Sequence, residues 1–229
     1  LMIHLGEIDN ARLLLFWATH INVNINLPDN MRNSPLHSCV SLADKLFHGE
    51  PVGEEKEKGT LAVLKVPLPK HTKQKSKLEM LHSLMEEMMA LSTHHHAGRQ
   101  QYLCDVNFQN SKGETPLVLA MKLGLYKEAV LLFKAAKDRL DINLKDKDGV
   151  TPVMHAIANE TTYVSIKILT QHNLDTDVID NRGRGILNYL IEHNRVEEAL
   201  MLLRNERFRL KSASAFHWAT DHFYGRVFL

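Results

Sequence analysis

Three stretches of this chain are near-copies of one another, and their spacing limits the fold more than any other feature. NSKGETPLVLAMKLGLYKEAVLL opens at Asn110, DKDGVTPVMHAIANETTYVSIKIL at Asp146 and DNRGRGILNYLIEHNRVEEALMLL at Asp180. Gly113 and Gly149 are 36 positions apart, and Gly149 and Gly183 are 34 apart. A period of about 33 residues marks a stacked array, in which each unit buries its apolar face against its neighbours. Each copy reads as one turn and two short helices. Gly113 closes the turn, Thr115 and Pro116 start the first helix, and Gly124 separates it from a second apolar helix. A hydroxyl before a proline is a helix entry, because the hydroxyl accepts from an orphan amide and the proline lacks the donor that would be orphaned. Thr151-Pro152 repeats that entry; Gly185-Ile186 replaces it in the third copy, which predicts a less firm start there.

Weaker copies flank these three. Residues 1–28 read as the back half of a unit, with Gly6 before a helix over Ile8–Phe16 and an apolar stripe at Ile8, Ala11, Leu14 and Leu15. Residues 29–109 read as a unit entered at Ser34-Pro35, whose first helix runs to about Phe47. Its period is broken by an insertion at about 48–76, which changes from acidic (GEPVGEEKEKG) to basic (KVPLPKHTKQKSK) around a short apolar run, TLAVLKV, with strand character. The displaced second helix is expected at Lys77–Leu91, where Leu78, Leu81, Leu84, Met85, Met88 and Met89 keep helical spacing. Units follow at 110–145, 146–179 and 180–211, the last degenerate, and 212–229 read as a partial unit or cap because AFHWAT repeats a first-helix phrase. Asn22-Val23-Asn24, Asp105-Val106-Asn107 and Asp141-Ile142-Asn143 each precede a new turn, where short polar side chains bond their own backbone. The chain opens in mid-phrase, which reads as a fragment of something longer.

These phrases resemble the ankyrin-repeat family, whose pattern is an Asp-x-x-Gly-x-Thr-Pro-Leu-His turn and helix, a glycine, and a second helix ending near Asp-Val-Asn. Asn110, Gly113, Thr115, Pro116, Leu117, Ala120, Gly124 and Val130 match it, as do Asp146, Gly149, Thr151, Pro152 and Ala156. Gly183 and Leu187 match in the third unit; Ser34, Pro35, Leu36 and His37 match in the unit at Asp29. Arg32, Glu160 and Asn194 stand where the pattern carries glycine, and Gly185 and Ile186 replace Thr-Pro. The resemblance covers the chain apart from the insertion. It implies an all-α ankyrin-repeat solenoid of helix-turn-helix units, with short β-turn or hairpin connections and one insertion. It also implies a non-catalytic module that binds a partner protein through turn tips and a concave first-helix face. Candidate contacts from register are Lys112, Glu114, Lys122, Lys147, Val150, Asn159, Arg182, Arg184, Glu192 and His193. The family further implies that Asn24, Asn107 and Asn143 are positions to inspect for asparagine hydroxylation. A second reading makes the array the targeting part of a larger enzyme or of a host-directed bacterial effector.

Other chemistry is weaker. Cys39 falls where the family carries a small core residue, and Cys104 lies just before the Asp-Val-Asn phrase; no cysteine pair has zinc spacing. His94, His95 and His96 are adjacent and read as a solvated loop, so no metal or cofactor is expected. Ser38 and Ser41 near His37 lack the strand-to-helix elbow that a nucleophilic serine needs. GEEKEKG lacks the Gly-Lys-Ser/Thr ending of a phosphate loop. Lys65, Lys70, Lys73, Lys75 and Lys77 form a basic run without aromatics to stack bases, and formal charge is only +1, so nucleic acid is not the expected partner. No apolar run approaches the roughly 20 residues of a membrane span. A monomer in the cytoplasm is expected, or in host cytoplasm or nucleus under the effector reading.

Overall fold

A computed structural model of the chain describes residues 3, 6–21, 25–50, 76–90, 104–171 and 173–204. They fall into two compact units, Leu1–Asp29 with Asn33–Asp105, and Asn30–Arg32 with Val106–Leu229. Among the described residues the architecture is helical, with no strand beyond one isolated bridge between Ile179 and Gly185. The expected strand at TLAVLKV, the cluster at His94–His96, most of the basic run and the AFHWAT phrase lie outside the described residues.

Among its described residues the first unit holds three helices. α1 (Ile8–Ile21) runs further than the expected stop at Phe16. Ile8 is buried, but Leu14, Phe16 and Trp17 are exposed, so the expected stripe is only partly inward. α2 (Pro35–Phe47) starts where the hydroxyl and proline place it. Ser34 N donates to His37 Nδ1 at 3.1 Å, so the imidazole accepts there and fixes the turn into the helix. His37 is fully buried in that role. α3 (Lys77–Ala90) is the displaced second helix. Its start is a reciprocal cap: Ser76 Oγ accepts from Glu79 N at 3.2 Å, and Glu79 Oε2 accepts from Ser76 N at 3.1 Å.

α3 packs against both α1 and α2. Met85, Met88 and Met89 are core side chains beside Leu81 and Leu84, on the face that their helical spacing marks. Each such buried side chain contributes about 1.5–3 kcal/mol relative to exposure. Arg12 binds Glu87 through Nε at 2.9 Å and Nη2 at 2.8 Å, a fork that joins α1 to α3. Cys39 and Cys104 are both buried and neither forms a disulfide among the described residues, and burial pushes the Cys39 thiol up, far from a reactive thiolate.

Among the described residues of the second unit, three helix pairs follow one another. α4 (Pro116–Lys122) pairs with α5 (Tyr126–Ala136), which ends in a 3-10 turn at Lys137–Arg139. α6 (Pro152–Ala158) pairs with α7 (Thr162–Leu169), and α8 (Ile186–Glu192) with α9 (Val196–Arg204). The first helices pack in series, α4 on α6 and α6 on α8, and α5 packs on α7. Leu117, Met121, Leu132, Met154 and Ile157 fill the spaces between them. The break inside each pair needs a left-handed residue. Gly124 supplies it at φ 71°, while Glu160 and Asn194 adopt φ 55° at the same place, which costs roughly 1–2 kcal/mol for a residue with a Cβ. Arg32 likewise takes φ 58° where the other turns carry glycine.

Candidate partner-binding face

The turn before each first helix is built by its opening side chain. Asn110 Oδ1 accepts from Lys112 N at 2.9 Å and Glu114 N at 3.0 Å. Asp146 Oδ1 accepts from Asp148 N at 3.0 Å and Val150 N at 2.9 Å. Asp180 Oδ1 accepts from Arg182 N and Arg184 N, both at 2.8 Å. Short Asn and Asp side chains suit this work because they reach their own backbone two residues on. The backbone then closes the turn, with Asn110 N on Glu114 O, Asp146 N on Val150 O and Asp180 N on Arg184 O, each at 3.0 Å.

Successive tips are bonded to one another. Ser111 N donates to Met31 O at 2.9 Å, Lys147 N to Lys112 O at 3.0 Å, and Asn181 N to Asp148 O at 3.0 Å. This close approach explains the glycines. A Cβ on Gly113 would stand 3.0 Å from Lys147 N, and one on Gly149 would stand 2.9 Å from Asn181 N, and both residues have positive φ.

The second atom of each opening side chain has a partner that differs from turn to turn. Asn110 Nδ2 donates to Glu114 Oε2 at 3.0 Å, and Glu114 Oε1 takes Lys122 Nζ at 2.8 Å. Asp146 Oδ2 meets His155 Nε2 at 2.8 Å. Asp180 Oδ2 accepts from Arg184 Nε at 2.9 Å and Tyr189 Oη at 3.0 Å, and Arg184 reaches on to Glu192 at 3.0 Å. Burial works to raise the Glu114 and Asp180 carboxyls, but these hydrogen bonds and cations outweigh it, so both titrate below the ordinary carboxylate range. Tyr189 is pushed up to about 12, by burial first and then by its bond to Asp180. This network supports a helix start that lacks Thr-Pro. Asn188 Oδ1 adds to it by accepting from Gly185 N at 2.9 Å.

A second ladder follows the tips. Asn107 donates to Arg139 O at 2.7 Å and accepts from Asp141 N at 2.9 Å; Asn143 donates to Asn173 O and accepts from Asp175 N, both at 2.8 Å. In the first unit the side chain that accepts from Asp105 N, at 2.8 Å, is Asn26. Asn24 lies outside the described residues. Asn26 stands three positions before Asp29, as Asn107 does before Asn110 and Asn143 before Asp146. That spacing was the signal for the right register, and the Asn22-Val23-Asn24 phrase obscured it.

The candidate contacts divide into two sets. Lys112, Lys122, Lys147, Asn159, Arg182, Glu192 and His193 are exposed, and Arg184 is half-buried in its network. Glu114 is only 3% exposed and Val150 9%, because position four of the tip turns under it toward the first helix. Their side chains belong to the packing of the unit. Asn159 has an inward duty as well: its amide donates to Met121 O at 2.7 Å and Lys122 O at 3.0 Å, capping α4 from the next helix pair.

The described chain is thus a helical protein with an internal repeat of tip and helix pair. It is similar to ankyrin-repeat proteins. It is 22% identical over 117 residues to Rabankyrin-5 of Mus musculus and 23% identical over 117 residues to Rabankyrin-5 of Homo sapiens, in each case over 50% of this chain and 10% of the relative. It is 28% identical over 86 residues to an ankyrin repeat protein of Acanthamoeba polyphaga mimivirus, over 37% of this chain and 20% of that protein. The chain therefore matches only a tenth to a fifth of the length of these curated relatives. No family model matches it.

Proposed function

We propose that this chain is part of an ankyrin-repeat array that binds a partner protein without catalysing a reaction on it. The observation that carries the reading is the division of labour along the tips and first helices. Positions of the repeated pattern are used for turns and packing, while Lys112, Lys122, Lys147, Asn159, Arg182, Glu192 and His193 remain exposed along them. Exposed side chains are those a partner can reach, even where, as at Lys122, Asn159 and Glu192, they also hold a neighbour within the array. The names of the similar proteins support the same class of fold.

A photo-crosslinking amino acid placed at Lys122 or His193 should capture a partner protein, and one placed at Tyr163 or Leu200, on the exposed side of the second helices, should not. Capture only from the second helices would reverse the assignment of the face. Asparagine hydroxylation at Asn107 and Asn143 belongs to the same proposal, and intact-protein mass spectrometry of material from cells checks it. The reading as a targeting segment of a larger enzyme or effector uses the same face, and the full open reading frame separates the two.

A further inference from the structure

We propose that the row of turn tips in the second unit receives an acidic peptide segment. This rests on the protein-binding reading above and gives it a partner chemistry. Lys112, Lys147 and Arg182 are exposed, each one or two positions into its tip. The tips abut: Lys147 N bonds Lys112 O at 3.0 Å, and Asn181 Nδ2 bonds Lys147 O at 2.8 Å beside Arg182. The three cations therefore form one row, at intervals of a repeat.

The acids of the same turns point the other way. Asp146 and Asp180 spend their carboxylates on tip amides and on side chains beneath, and Glu114 spends its own on Asn110 and Lys122; all three are buried. Glu192 is held by Arg184 at 3.0 Å. The exception is Asp148, an exposed tip acid whose charge acts on Lys122. The chain as a whole carries only +1, so the row is positive by arrangement and not by composition. A merely solvated surface mixes the two signs; here folding turns most of one sign inward.

Packed helix layers are roughly 8–10 Å apart, and an extended peptide advances about 3.3 Å per residue. A matching ligand carries a carboxylate at about every third residue. Its attraction to exposed cations weakens with salt, since the Debye length is about 8–10 Å near physiological ionic strength.

The test uses the full chain and a fluorescein-labelled peptide of Glu-Gly-Ser triplets, read by fluorescence anisotropy. Replacing Lys112→Glu, Lys147→Glu and Arg182→Glu together is expected to weaken binding by about tenfold or more, and the wild-type affinity to fall with added salt. Replacing Lys127→Glu, Lys134→Glu and Arg204→Glu on the second helices is expected to leave it unchanged. Circular dichroism and urea midpoints confirm that both triple variants fold. Equal loss in the two variants, or no loss in the first, overturns the proposal. So does tighter binding of a deoxythymidine oligonucleotide of matched charge, which would make the row a nucleic-acid contact. Crosslinking of a partner from Lys122 or His193 alongside failure of the acidic peptide would overturn only the acidic chemistry and leave the protein-binding reading standing.

Discussion

Arg184 and Glu114 occupy the same position, four residues beyond the opening side chain of their turns, and they carry opposite charge. The partner eight residues further on is exchanged with them: Lys122 pairs with Glu114 at 2.8 Å, and Glu192 with Arg184 at 3.0 Å. The opening residue accounts for the exchange. Asn110 has an amide left to donate, so a carboxylate follows; Asp180 has an oxygen left to accept, so a guanidinium follows.

The exchange predicts a rescue. Lys122→Glu alone sets a second carboxylate against buried Glu114 and should cost about 1–3 kcal/mol. Adding Asn110→Asp and Glu114→Arg rebuilds the arrangement of the Asp180 turn and should recover most of the loss. Urea unfolding measures both, and a triple variant no more stable than the single one would contradict the pairing rule.

Glycine replacements should separate by what a Cβ meets. Gly124→Ala enters open space and should cost about 1 kcal/mol for its left-handed backbone alone. Gly149→Ala should cost clearly more, because the new Cβ would lie 2.7 Å from Asn181 Oδ1 and 2.9 Å from Asn181 N. Glu160→Gly, at the position equivalent to Gly124, should instead gain about 0.5–1 kcal/mol. Thermal melts of the three variants give the order, and equal effects at Gly124 and Gly149 would refute the tip-to-tip contact.

Two matching threonines should answer differently to the same change. Thr115 Oγ1 accepts from Val118 N at 3.1 Å, so Thr115→Val should lose about 1 kcal/mol of cap. Thr151 Oγ1 is buried with no hydrogen-bond partner among the described residues, so Thr151→Val should be neutral or stabilising. Chemical denaturation compares them, and a larger loss at Thr151 would overturn the distinction.

Acid should loosen the second unit through Glu114 and Asp180. Both carboxyls titrate lower in the folded chain than their ordinary values of 4.5 and 3.8. The unfolded chain therefore binds more protons as the solution is acidified. The stability they supply is complete above the ordinary carboxylate range and is lost as pH falls through their lowered folded values. Asp180→Asn should flatten that decline in urea midpoint against pH. An identical decline in the variant would place the acid sensitivity elsewhere.

The starts of helices were legible because they depend on neighbours in sequence. Ser34-Pro35, Thr115-Pro116 and Thr151-Pro152 each begin a helix at the expected residue. The methionine-rich segment kept its helical spacing across the insertion and forms α3. Ser76 and Glu79, three positions apart, also carry a capping signal in the sequence. The third turn looked poor because Gly185-Ile186 had lost the usual entry, yet α8 starts there. Its support comes from Asp180, Arg184 and Tyr189, which are separated along the chain and meet only after the turn closes.

The chain's order of residues was enough to determine the period, the turns and the helix pairs, since each rests on contacts within a few positions. Which tip side chains face outward was decided by packing. Lys112 and Glu114 are two residues apart and equally polar, but one is exposed and the other buried. Only the closed turn, with its fourth side chain bent under the tip and held by Lys122, separates a residue that can meet a partner from one that holds the fold together.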